Sequence, residues 1–341
     1  MAGAAKLEKD RRKRLADFIE PFRVKPGSKV TLAKDFDPSF KAGVKKKKDG
    51  VALLAEGKRL LSEFQPRLAA QASWGVVVVL QALDTAGKDG LIRHVMSGVN
   101  PQGVAVHSFK VPSTEELAHD FLWRYSRRLP ARGEIAIFNR SHYEEVVVVR
   151  VHPENLDRQH LPHSLRDGDI WKRRFREIND WERHLTDNGF RVVKLLLNLS
   201  REEQRERLLR RIDLADHNWK FSAADIAERE CWDDYQAAFS AVLSHTSTKW
   251  APWYVIPADR KWFARIGGAA VLVQTLIEID PRFPRVGKRD REALVEVKRT
   301  LEAQTPGGVA ADPFEQDHKN AADGDEVGQP VALGGKAAGL A

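Results

Sequence analysis

Residues 76–90, Val-Val-Val-Val-Leu-Gln-Ala-Leu-Asp-Thr-Ala-Gly-Lys-Asp-Gly, decide the fold of this chain. The apolar run Val76–Leu80 is typical of a strand that is buried on both faces, as in a parallel sheet. A loop of small residues follows and ends at Gly87 and Lys88, and helix-compatible sequence comes next. A strand, a glycine-containing loop, a lysine and a helix in this order predict a P-loop, in which backbone N–H groups and a helix N-terminus face a phosphate chain.

The loop departs from the usual P-loop pattern, G-x-x-x-x-G-K-[ST], in two places and carries an additional carboxylate. Ala82 takes the place of the first glycine, Asp89 takes the place of the serine or threonine, and a second carboxylate, Asp84, lies inside the loop. Because a carboxylate repels phosphate unless a cation lies between them, Asp84 is a candidate ligand for Mg²⁺. By itself the stretch also fits an ordinary strand–turn–helix connection in which Gly87 is only a turn residue.

The length and the charge of the chain restrict its class. With 341 residues and a net charge of +8, it is long enough for one large α/β domain with extensions and has a basic surface. A positive excess suits a polyanionic partner, such as nucleic acid, anionic lipid or a phosphate polymer, although an unspecialised basic surface has the same composition. No secretory signal and no apolar run long enough to span a bilayer is apparent, so we expect a cytoplasmic protein without a membrane partner.

Apolar runs alternate with helical patterns through the middle of the chain. Strands are predicted at Val76–Leu80, Val104–Phe109, Glu134–Phe138, Arg191–Asn198 and Trp250–Pro257. Helices are predicted from Ser113 or Thr114 to Arg128, over Asp169–Asn188, from Ser200 to Asp213, over Ser222–Leu243 and over Lys261–Ile279, with capping boxes at Ser113/Glu116 and Ser200/Glu203. This alternation predicts a parallel sheet with helices on both faces, a three-layer α/β/α sandwich that binds its ligands at the carboxyl ends of the strands.

Polar side chains follow three of these strands directly. Asp84 and Lys88 follow the first strand, Lys110 follows the second, and Asn139 and Arg140 follow the third. Because the carboxyl ends of parallel strands meet at one edge of a sheet, we expect these side chains to lie close together. Their convergence predicts phosphoryl-transfer chemistry more strongly than the loop does alone.

The third strand ends in an unusual residue for this kind of site. In many P-loop enzymes the strand beside the P-loop strand ends in an aspartate that supports Mg²⁺. Asn139 takes that place here, and an amide orients a metal-bound water without adding charge. Glu144 and Glu145 lie about one helical turn later and are candidates to supply the missing charge.

The helix predicted after Ser200 is rich in arginine. Arg207 and Arg211 are four residues apart and share one helix face, where like charges repel unless an anion bridges them or solvent screens them. The following segment alternates aromatic and basic residues and includes Lys220. This pattern suits a lid that closes over phosphates, and the alternative is a solvated helix face with internal Glu–Arg pairs.

Five segments of the chain occur together in one known family. They are Ala82-Leu-Asp-Thr-Ala-Gly-Lys-Asp-Gly90, Gly98-Val-Asn-Pro-Gln-Gly103, Phe138-Asn-Arg-Ser-His-Tyr-Glu-Glu145, His217-Asn-Trp-Lys-Phe221 and Ala251-Pro-Trp-Tyr-Val-Ile-Pro257. With these segments in order, the stretch from Lys29 to Arg285 resembles the polyphosphate kinase 2 family. The resemblance implies a P-loop kinase fold related to thymidylate kinase. It also implies phosphoryl transfer between inorganic polyphosphate and a nucleotide with Mg²⁺ (or Mn²⁺), by a homo-oligomer, a tetramer or a dimer.

The resemblance also implies roles for individual residues. The matched positions are a Walker A-like loop (Asp84, Gly87, Lys88), a Walker B-like position (Asn139, Arg140), a lid (Arg207, Arg211, Lys220) and the path of the phosphate chain (Arg93, Lys110). We expect the domain organisation to follow: an N-terminal helical extension over residues 1–70, a P-loop kinase domain over 71–285 with its lid around 200–225, and a helical arm over 286–303. Residues 304–341, rich in Gly, Ala, Pro and Asp, are predicted to be a disordered tail.

Asn139 and Glu144 bear on the choice of acceptor. Two classes of the family carry Asp where this chain has Asn139, and the pair of Asn139 and Glu144 resembles the third class, which is understood to phosphorylate nucleoside mono- and diphosphates. We therefore expect AMP and ADP as acceptors, with ADP and ATP as products. The alternatives are an ATP-dependent kinase of nucleotides or small molecules on the same fold, a nucleic-acid binder, and an inactive structural domain. The absence of a recognition-helix or aromatic-platform motif argues against nucleic acid.

Overall fold

The computed structural model describes residues 2–166, 168–214 and 224–304. Within these ranges five strands form one parallel sheet in the order β2-β3-β1-β4-β5. The strands are β1 (Gly75–Ala82), β2 (Val104–Ser108), β3 (Ile135–Asn139), β4 (Phe190–Asn198) and β5 (Trp253–Pro257). The predicted parallel α/β fold is confirmed, and β1, which leads into the predicted phosphate loop, lies at the centre of the sheet.

The helices of the described residues include those that connect the strands and cover the sheet. They are α1 (Ala2–Ile19), α2 (Leu32–Asp35), α3 (Lys47–Gln71), α4 (Lys88–Val95), α5 (Thr114–Leu117), α6 (Trp123–Ser126), α7 (Val148–Val151), α8 (Ile170–Asp187), α9 (Arg201–Asp213), α10 (Ala224–Glu230), α11 (Trp232–Thr246), α12 (Lys261–Ile279) and α13 (Lys288–Ala303). Short 3-10 helices occupy Glu20–Phe22, Pro101–Gly103, His142–Val146, Pro153–Gln159 and His163–Leu165. Helix α13 belongs to a separate compact unit that starts at Pro284. The predicted tail beyond Gln304 lies outside the described residues.

Successive residues of the central strands belong to two different cores. Val76, Val78 and Leu80 pack in a core with α1, α3, α4 and α12. Val77 and Val79 point the other way, into a core with α8 and α11. Because helices cover both faces, the strands are continuous apolar runs rather than alternating ones, which is why the sequence pattern identifies them.

Helix α12 is the most buried helix of the first core. Its length and its mean hydropathy of 1.3 are sufficient to cross a membrane, so the expectation that no apolar run is long enough is wrong by this criterion, but 72% of the stretch is buried in the protein. A Cβ on Gly268 would lie 2.9 Å from Leu91 of α4, and one on Gly267 would lie 2.9 Å from Ile256 of β5. The two glycines therefore let α12 approach both the sheet and the helix after the phosphate loop.

The helix predicted from residue 113 to residue 128 is wrong in part. The Ser113/Glu116 capping box is confirmed, but the segment forms two short helices, α5 and α6. Between them a side-chain oxygen of Asp120 accepts a 2.9 Å hydrogen bond from the N–H of Leu122. Such a local side-chain bond offers the backbone an alternative to the helical ladder and ends α5.

Two further helix predictions need correction. The helix expected over 222–243 is divided at Cys231 into α10 and α11. At the start of α9, Ser200 caps the N–H of Glu203 at 3.1 Å, but its own N–H donates to Asp259 at 2.8 Å. The capping box predicted there is therefore only half formed, because Glu203 pairs with Arg207 instead.

Candidate active site

The loop between β1 and α4 has the geometry of a phosphate loop. Gly87, directly before α4, has a φ of 105°, which residues with a side chain rarely adopt. Thr85 has a φ of 66°, an uncommon conformation for a β-branched residue. The N–H groups of the first turn of α4 have no carbonyl partner within the helix. The loop therefore presents backbone donors to an anion at the carboxyl edge of the sheet.

Lys88 is the first residue of α4 and turns back over the loop. Its Nζ donates a 2.9 Å hydrogen bond to the carbonyl oxygen of Ala82 and lies 3.5 Å from that of Leu83. Burial lowers the pKa of Lys88, and the carboxylate of Asp84 opposes this shift. The ammonium group is thus held within the loop whose phosphate it is predicted to neutralise.

Arg207 of α9 supports the loop from the protein side. Its side chain is 5% exposed, and its Nη1 donates to the carbonyl oxygens of Ala86 at 2.8 Å and Thr85 at 3.1 Å. Its Nη2 donates to Ala258 at 2.5 Å, and its Nε donates to Glu203 at 2.9 Å. All three nitrogens are therefore engaged by the protein, and the catalytic role that the family resemblance implies for Arg207 stays a prediction. Arg207 is a positioning residue for the loop.

The other predicted lid residues are not brought to the loop in the same way. Arg211 lies one turn after Arg207 and is partly buried. Arg207 and Arg211 were expected to share one face toward the phosphates, but Arg207 is turned into the protein. Lys220 lies outside the described residues.

Arg140 lies between the carboxylates of Asp84 and Glu144. Its Nη2 is 3.1 Å from Asp84 Oδ1, and its Nη1 is 3.6 Å from Glu144 Oε2. Burial lowers the pKa of Arg140, but Glu144 and Asp84 outweigh it and the net shift is upward. Arg140 has a φ of 64°, and its N–H donates to the carbonyl oxygen of Leu80 at 3.1 Å, so the turn after β3 is bonded to β1. The structure thus brings Asp84, which follows β1, together with Arg140 and Glu144, which follow β3.

The two glutamates after β3 face different environments. Glu144 lines a cavity of about 130 Å³ together with Asp84 and Arg140. Burial raises the pKa of Glu144, although Arg140 opposes the shift. Glu145 is 6% exposed and forms a 2.9 Å ion pair with Arg174 of α8. Of the two candidates, Glu144 is the one that contributes to the site.

Asn139 connects the end of β3 to the start of α4. Its Nδ2 donates a 2.7 Å hydrogen bond to Oδ1 of Asp89. Its Oδ1 is buried and has no hydrogen-bond partner among the described residues. A buried acceptor without a partner costs about 1–3 kcal/mol, so this oxygen suits a contact with a bound water.

Asp84 and Glu144 fit a divalent cation of the Mg²⁺ type. Their carboxylates lie on either side of the single guanidinium of Arg140, at 3.1 and 3.6 Å, so two hard oxygen donors converge on one region. Over residues 2–166, 168–214 and 224–304 no group of three or more His, Cys, Asp or Glu is arranged to hold a metal. Such a site must take further ligands from water and phosphate, as Mg²⁺ sites usually do.

A cluster of cations beside α4 was missed in the sequence, except for Arg93. The basic cluster is Arg93 of α4, Arg210 of α9, and Lys261 and Arg265 of α12. Burial lowers the pKa values of Lys261 and Arg265, and neighbouring cations lower them further, Arg210 acting on Lys261 and Arg93 on Arg265. Within the described part of the chain none of the four has an ion-pair partner. The available signal was the four-residue spacing of Lys261 and Arg265 directly after the last strand.

Lys110 is exposed just beyond β2. The N–H of the preceding residue, Phe109, donates to the carbonyl oxygen of Asn139 at 3.1 Å, which places Lys110 at the same edge of the sheet as the loop. Lys110 does not line the cavity that Asp84, Arg140 and Glu144 share.

A buried charged pair behind the site was also missed. Lys194 of β4 donates a 2.6 Å hydrogen bond to Glu182 of α8, and both side chains are fully buried. Tyr143, next to Glu144, donates to the same carboxylate at 2.8 Å. The signal was a lysine within the apolar run 191–198, because a charge in a buried strand requires a partner.

The fold and the site define the class of the protein. A parallel sheet whose central strand leads into a phosphate loop, with charged groups after the neighbouring strand, is the arrangement of a P-loop phosphotransferase. The family model described as "Polyphosphate kinase 2 (PPK2)" matches residues 44–284, and the chain belongs to this family.

Individual relatives and a solved structure agree with this assignment. The chain is 46% identical over 284 residues to the ADP-polyphosphate phosphotransferase of Rhodopseudomonas palustris, covering 82% of this chain and 97% of the relative. It is 41% identical over 282 residues to the AMP/ADP-polyphosphate phosphotransferase of Meiothermus ruber, covering 82% and 100%. The crystal structure of polyphosphate kinase 2 from Arthrobacter aurescens TC1 superposes with a TM-score of 0.73 at 40% identity and covers 81% of this chain and 96% of its own. The predicted family and fold are confirmed.

Proposed function

We propose that this protein transfers phosphoryl groups between inorganic polyphosphate and AMP or ADP to form ADP and ATP. The observation that carries the proposal is the convergence of Asp84, Arg140 and Glu144 on the mouth of a phosphate loop. The names of the R. palustris and M. ruber relatives support polyphosphate as donor and ADP or AMP as acceptor. Because one phosphoanhydride is broken while another is formed, the reaction is near balance and runs in both directions.

Polyphosphate binds along the basic side of the loop in this proposal. Each internal phosphate of the polymer is negatively charged, and within the described residues no carboxylate forms an ion pair with the four cations of the basic cluster. The exposed Lys110 extends this positive edge. Roles in phosphate binding for Arg211 and Lys220 rest on the family resemblance alone. The net charge of +8 attracts the polymer over longer distances.

Catalysis in this proposal consists mainly of alignment and charge stabilisation. The backbone N–H groups around Gly87 and the ammonium of Lys88 bind the oxygens of the reacting phosphate, and Arg140 stabilises charge on the opposite side. A terminal nucleotide phosphate is already ionised, so no strong general base is needed. Asp84 and Glu144 would hold Mg²⁺, or Mn²⁺ in its place, which supplies charge neutralisation between donor and acceptor oxygens. Asn139 keeps the end of β3 bonded to α4 while these groups act.

We further assign the protein to the third class of the family, which uses both AMP and ADP. The assignment rests on Asn139 and Glu144, and the position of Glu144 in the cavity beside Asp84 supports it. We also propose that the protein is a cytoplasmic homo-oligomer, a tetramer or a dimer, and binds neither nucleic acid nor membrane. These points rest on the family resemblance and on composition.

The proposal is tested with purified protein, Mg²⁺ and long-chain polyphosphate, with AMP and ADP in separate reactions and no ATP. Chromatography of the products gives the result. ATP from ADP, and ADP followed by ATP from AMP, is the expected outcome. Product from ADP alone would support polyphosphate as the donor and reject the assignment to the third class. Phosphoryl transfer that requires added ATP would favour an ATP-dependent kinase on the same fold.

A further inference from the structure

The turn after β3 alternates between residues that face the site and residues that are anchored behind it. Arg140 and Glu144 line the cavity at the phosphate loop. Between them, Ser141, His142 and Tyr143 are fully buried. The position of Glu144 relative to Asp84 therefore depends on what holds these three residues.

The anchor of this turn is a cluster of polar groups that we call the Tyr143–Glu182–Lys194 cluster. The hydroxyl of Tyr143 donates to Glu182 Oε1 at 2.8 Å. Lys194 donates to the Tyr143 hydroxyl oxygen at 3.0 Å, to Glu182 Oε2 at 2.6 Å and to the carbonyl oxygen of Thr246 at 2.6 Å. The three donors of the ammonium group thus meet three acceptors, and the side chains of Tyr143, Glu182 and Lys194 are fully buried. His142 Nε2 lies 3.2 Å from Glu182 Oε1, the oxygen that accepts from Tyr143.

The other side of the turn is bonded to β1. Gln81, 1% exposed and adjacent to the phosphate loop, donates from Nε2 to the hydroxyl oxygen of Ser141 at 3.1 Å. The same oxygen accepts the N–H of Tyr143 at 3.3 Å. Gln81 also lines the same cavity as Glu144. The turn is therefore held from β1 on one side and from β4, α8 and the end of α11 on the other.

Stability does not explain this cluster well. Replacing a buried ion pair by apolar residues of similar volume is often neutral, or stabilising by about 1–4 kcal/mol. Tyr143, a member of the cluster, is the residue directly before Glu144. A displacement of about 1 Å of a catalytic group can cost on the order of 10²-fold in rate. The need to hold Glu144 in place explains the buried charges of Glu182 and Lys194 better than stability does.

We propose that the Tyr143–Glu182–Lys194 cluster positions Glu144 for phosphoryl transfer. Tyr143, Glu182 and Lys194 are positioning residues in this proposal, since they act through Glu144 and do not touch substrate. The inference rests on the proposed function, and the wild-type reaction is measured first. Product from polyphosphate in that reaction upholds the proposed function whatever the variants do.

The first variant is Tyr143→Phe, which removes the hydroxyl and keeps the ring packed on Trp253, with the ring centroids 4.7 Å apart. We expect kcat with ADP to fall about tenfold while KM for polyphosphate stays within about twofold, because alignment is lost and donor binding is retained. Tyr254→Phe is the matched control, since Tyr254 lies on β5 outside the cluster. It should retain wild-type kinetics. A folded Tyr143→Phe protein with wild-type kcat would overturn the proposal.

A double-mutant cycle with Glu144→Gln separates positioning from general loosening of the core. If Tyr143 acts through Glu144, Tyr143→Phe should lower kcat less than about twofold in the Glu144→Gln background. A second cycle against Glu144→Gln uses a variant that combines Lys194→Met with Glu182→Gln. This variant removes both charges of the buried pair together, so neither is left unpaired. If the fold-losses in kcat multiply in both cycles while the midpoint of thermal unfolding is unchanged, the cluster does not act through Glu144 and the proposal is rejected.

Discussion

The guanidinium of Arg207 donates a 2.8 Å hydrogen bond to the carbonyl oxygen of Ala86, the residue before the glycine of the phosphate loop. The same side chain donates to Thr85, whose backbone is in the left-handed region. The helix α9, which is predicted to carry the lid, therefore supports the floor of the loop. The shape of the loop depends on the position of this helix.

Arg207→Lys should therefore lower both stability and turnover. A lysine keeps the charge, but its single nitrogen cannot satisfy carbonyl oxygens from two loops and Glu203 at once, and a buried acceptor left without a donor costs about 1–3 kcal/mol. We expect a lower midpoint of thermal unfolding and a lower kcat/KM. Arg205→Lys, on the exposed side of the same helix, is the control and should change neither. An unchanged melting temperature for Arg207→Lys would contradict the supporting role.

Asp84→Asn and Lys88→Ala should each remove most of the activity while the fold remains. Loss of one oriented charge at a reacting centre typically costs on the order of 10²–10³-fold in rate. Asp84 is 42% exposed, so its replacement should disturb packing little. The measurement is turnover with polyphosphate and ADP, with circular dichroism as the check on folding. Turnover near that of the wild type in either variant would reject this site.

Asn139→Asp should weaken the use of AMP more than the use of ADP. In the structure Asn139 donates to Asp89 at 2.7 Å, so a carboxylate at position 139 would face a second carboxylate and repel it. The measurement is the ratio of kcat/KM values for AMP and ADP. In the double variant with Asp89→Asn, the amide at position 89 donates to the carboxylate at position 139, which restores the hydrogen bond in the opposite direction. The ratio of kcat/KM values for AMP and ADP should then return part of the way to the wild-type ratio. An unchanged ratio in the single variant would remove the basis for the third-class assignment.

The basic cluster should determine how well long polymers are used. Lys261→Gln combined with Arg265→Gln should raise KM for long-chain polyphosphate roughly tenfold, about 1.4 kcal/mol, and leave KM for tripolyphosphate and ADP unchanged. A short donor reaches the loop without extending over α12. Lys249→Gln, an exposed cation before β5 and hence at the opposite edge of the sheet, is the control. Equal effects on long and short donors would place the cluster outside the polymer path.

Removing divalent cations should stop transfer without unfolding the protein. Asp84 and Glu144 lie 3.1 and 3.6 Å from Arg140, and Lys88 also interacts with both, so neither carboxylate is left without a cation when no metal is bound. We expect EDTA to abolish product formation, Mg²⁺ or Mn²⁺ to restore it, and the unfolding temperature to remain constant. In Glu144→Gln the concentration of Mg²⁺ needed for half-maximal rate should rise. Full activity in EDTA would contradict a metal-assisted reaction.

The sheet and the loop were predictable because local pattern and tertiary environment agree there. Val76–Val79 is apolar at every position, which a strand covered on both faces requires, and Gly87 supplies the backbone angle that the loop needs. The break at Asp120 was missed because Leu117, Phe121 and Tyr125 have helical spacing. A single side-chain bond to the N–H of Leu122 outweighs that pattern.

The chemistry of the site was harder to predict than its location. Arg207 resembles any charged helix residue in the sequence, and its role depends on carbonyl groups from loops far away in the chain. Lys261 and Arg265 differ from surface cations only because α12 packs on α4, which periodicity does not reveal. Such roles follow from contacts between distant segments, and a single sequence does not record those contacts.

Gly268 of α12 lies against Leu91 of α4, and this contact has a consequence for synthesis of the protein. A nascent chain that has reached β4 already contains the whole phosphate loop, yet it lacks the helix on which α4 rests. The central strand β1 pairs with β3 and β4, which are synthesised after it. Folding therefore depends on contacts between residues far apart in the sequence, and we expect it to be completed late. We therefore expect catalytic competence only after α12 has been synthesised. A chain that stops before residue 261 should carry all the residues from Asp84 to Arg207 and remain inactive.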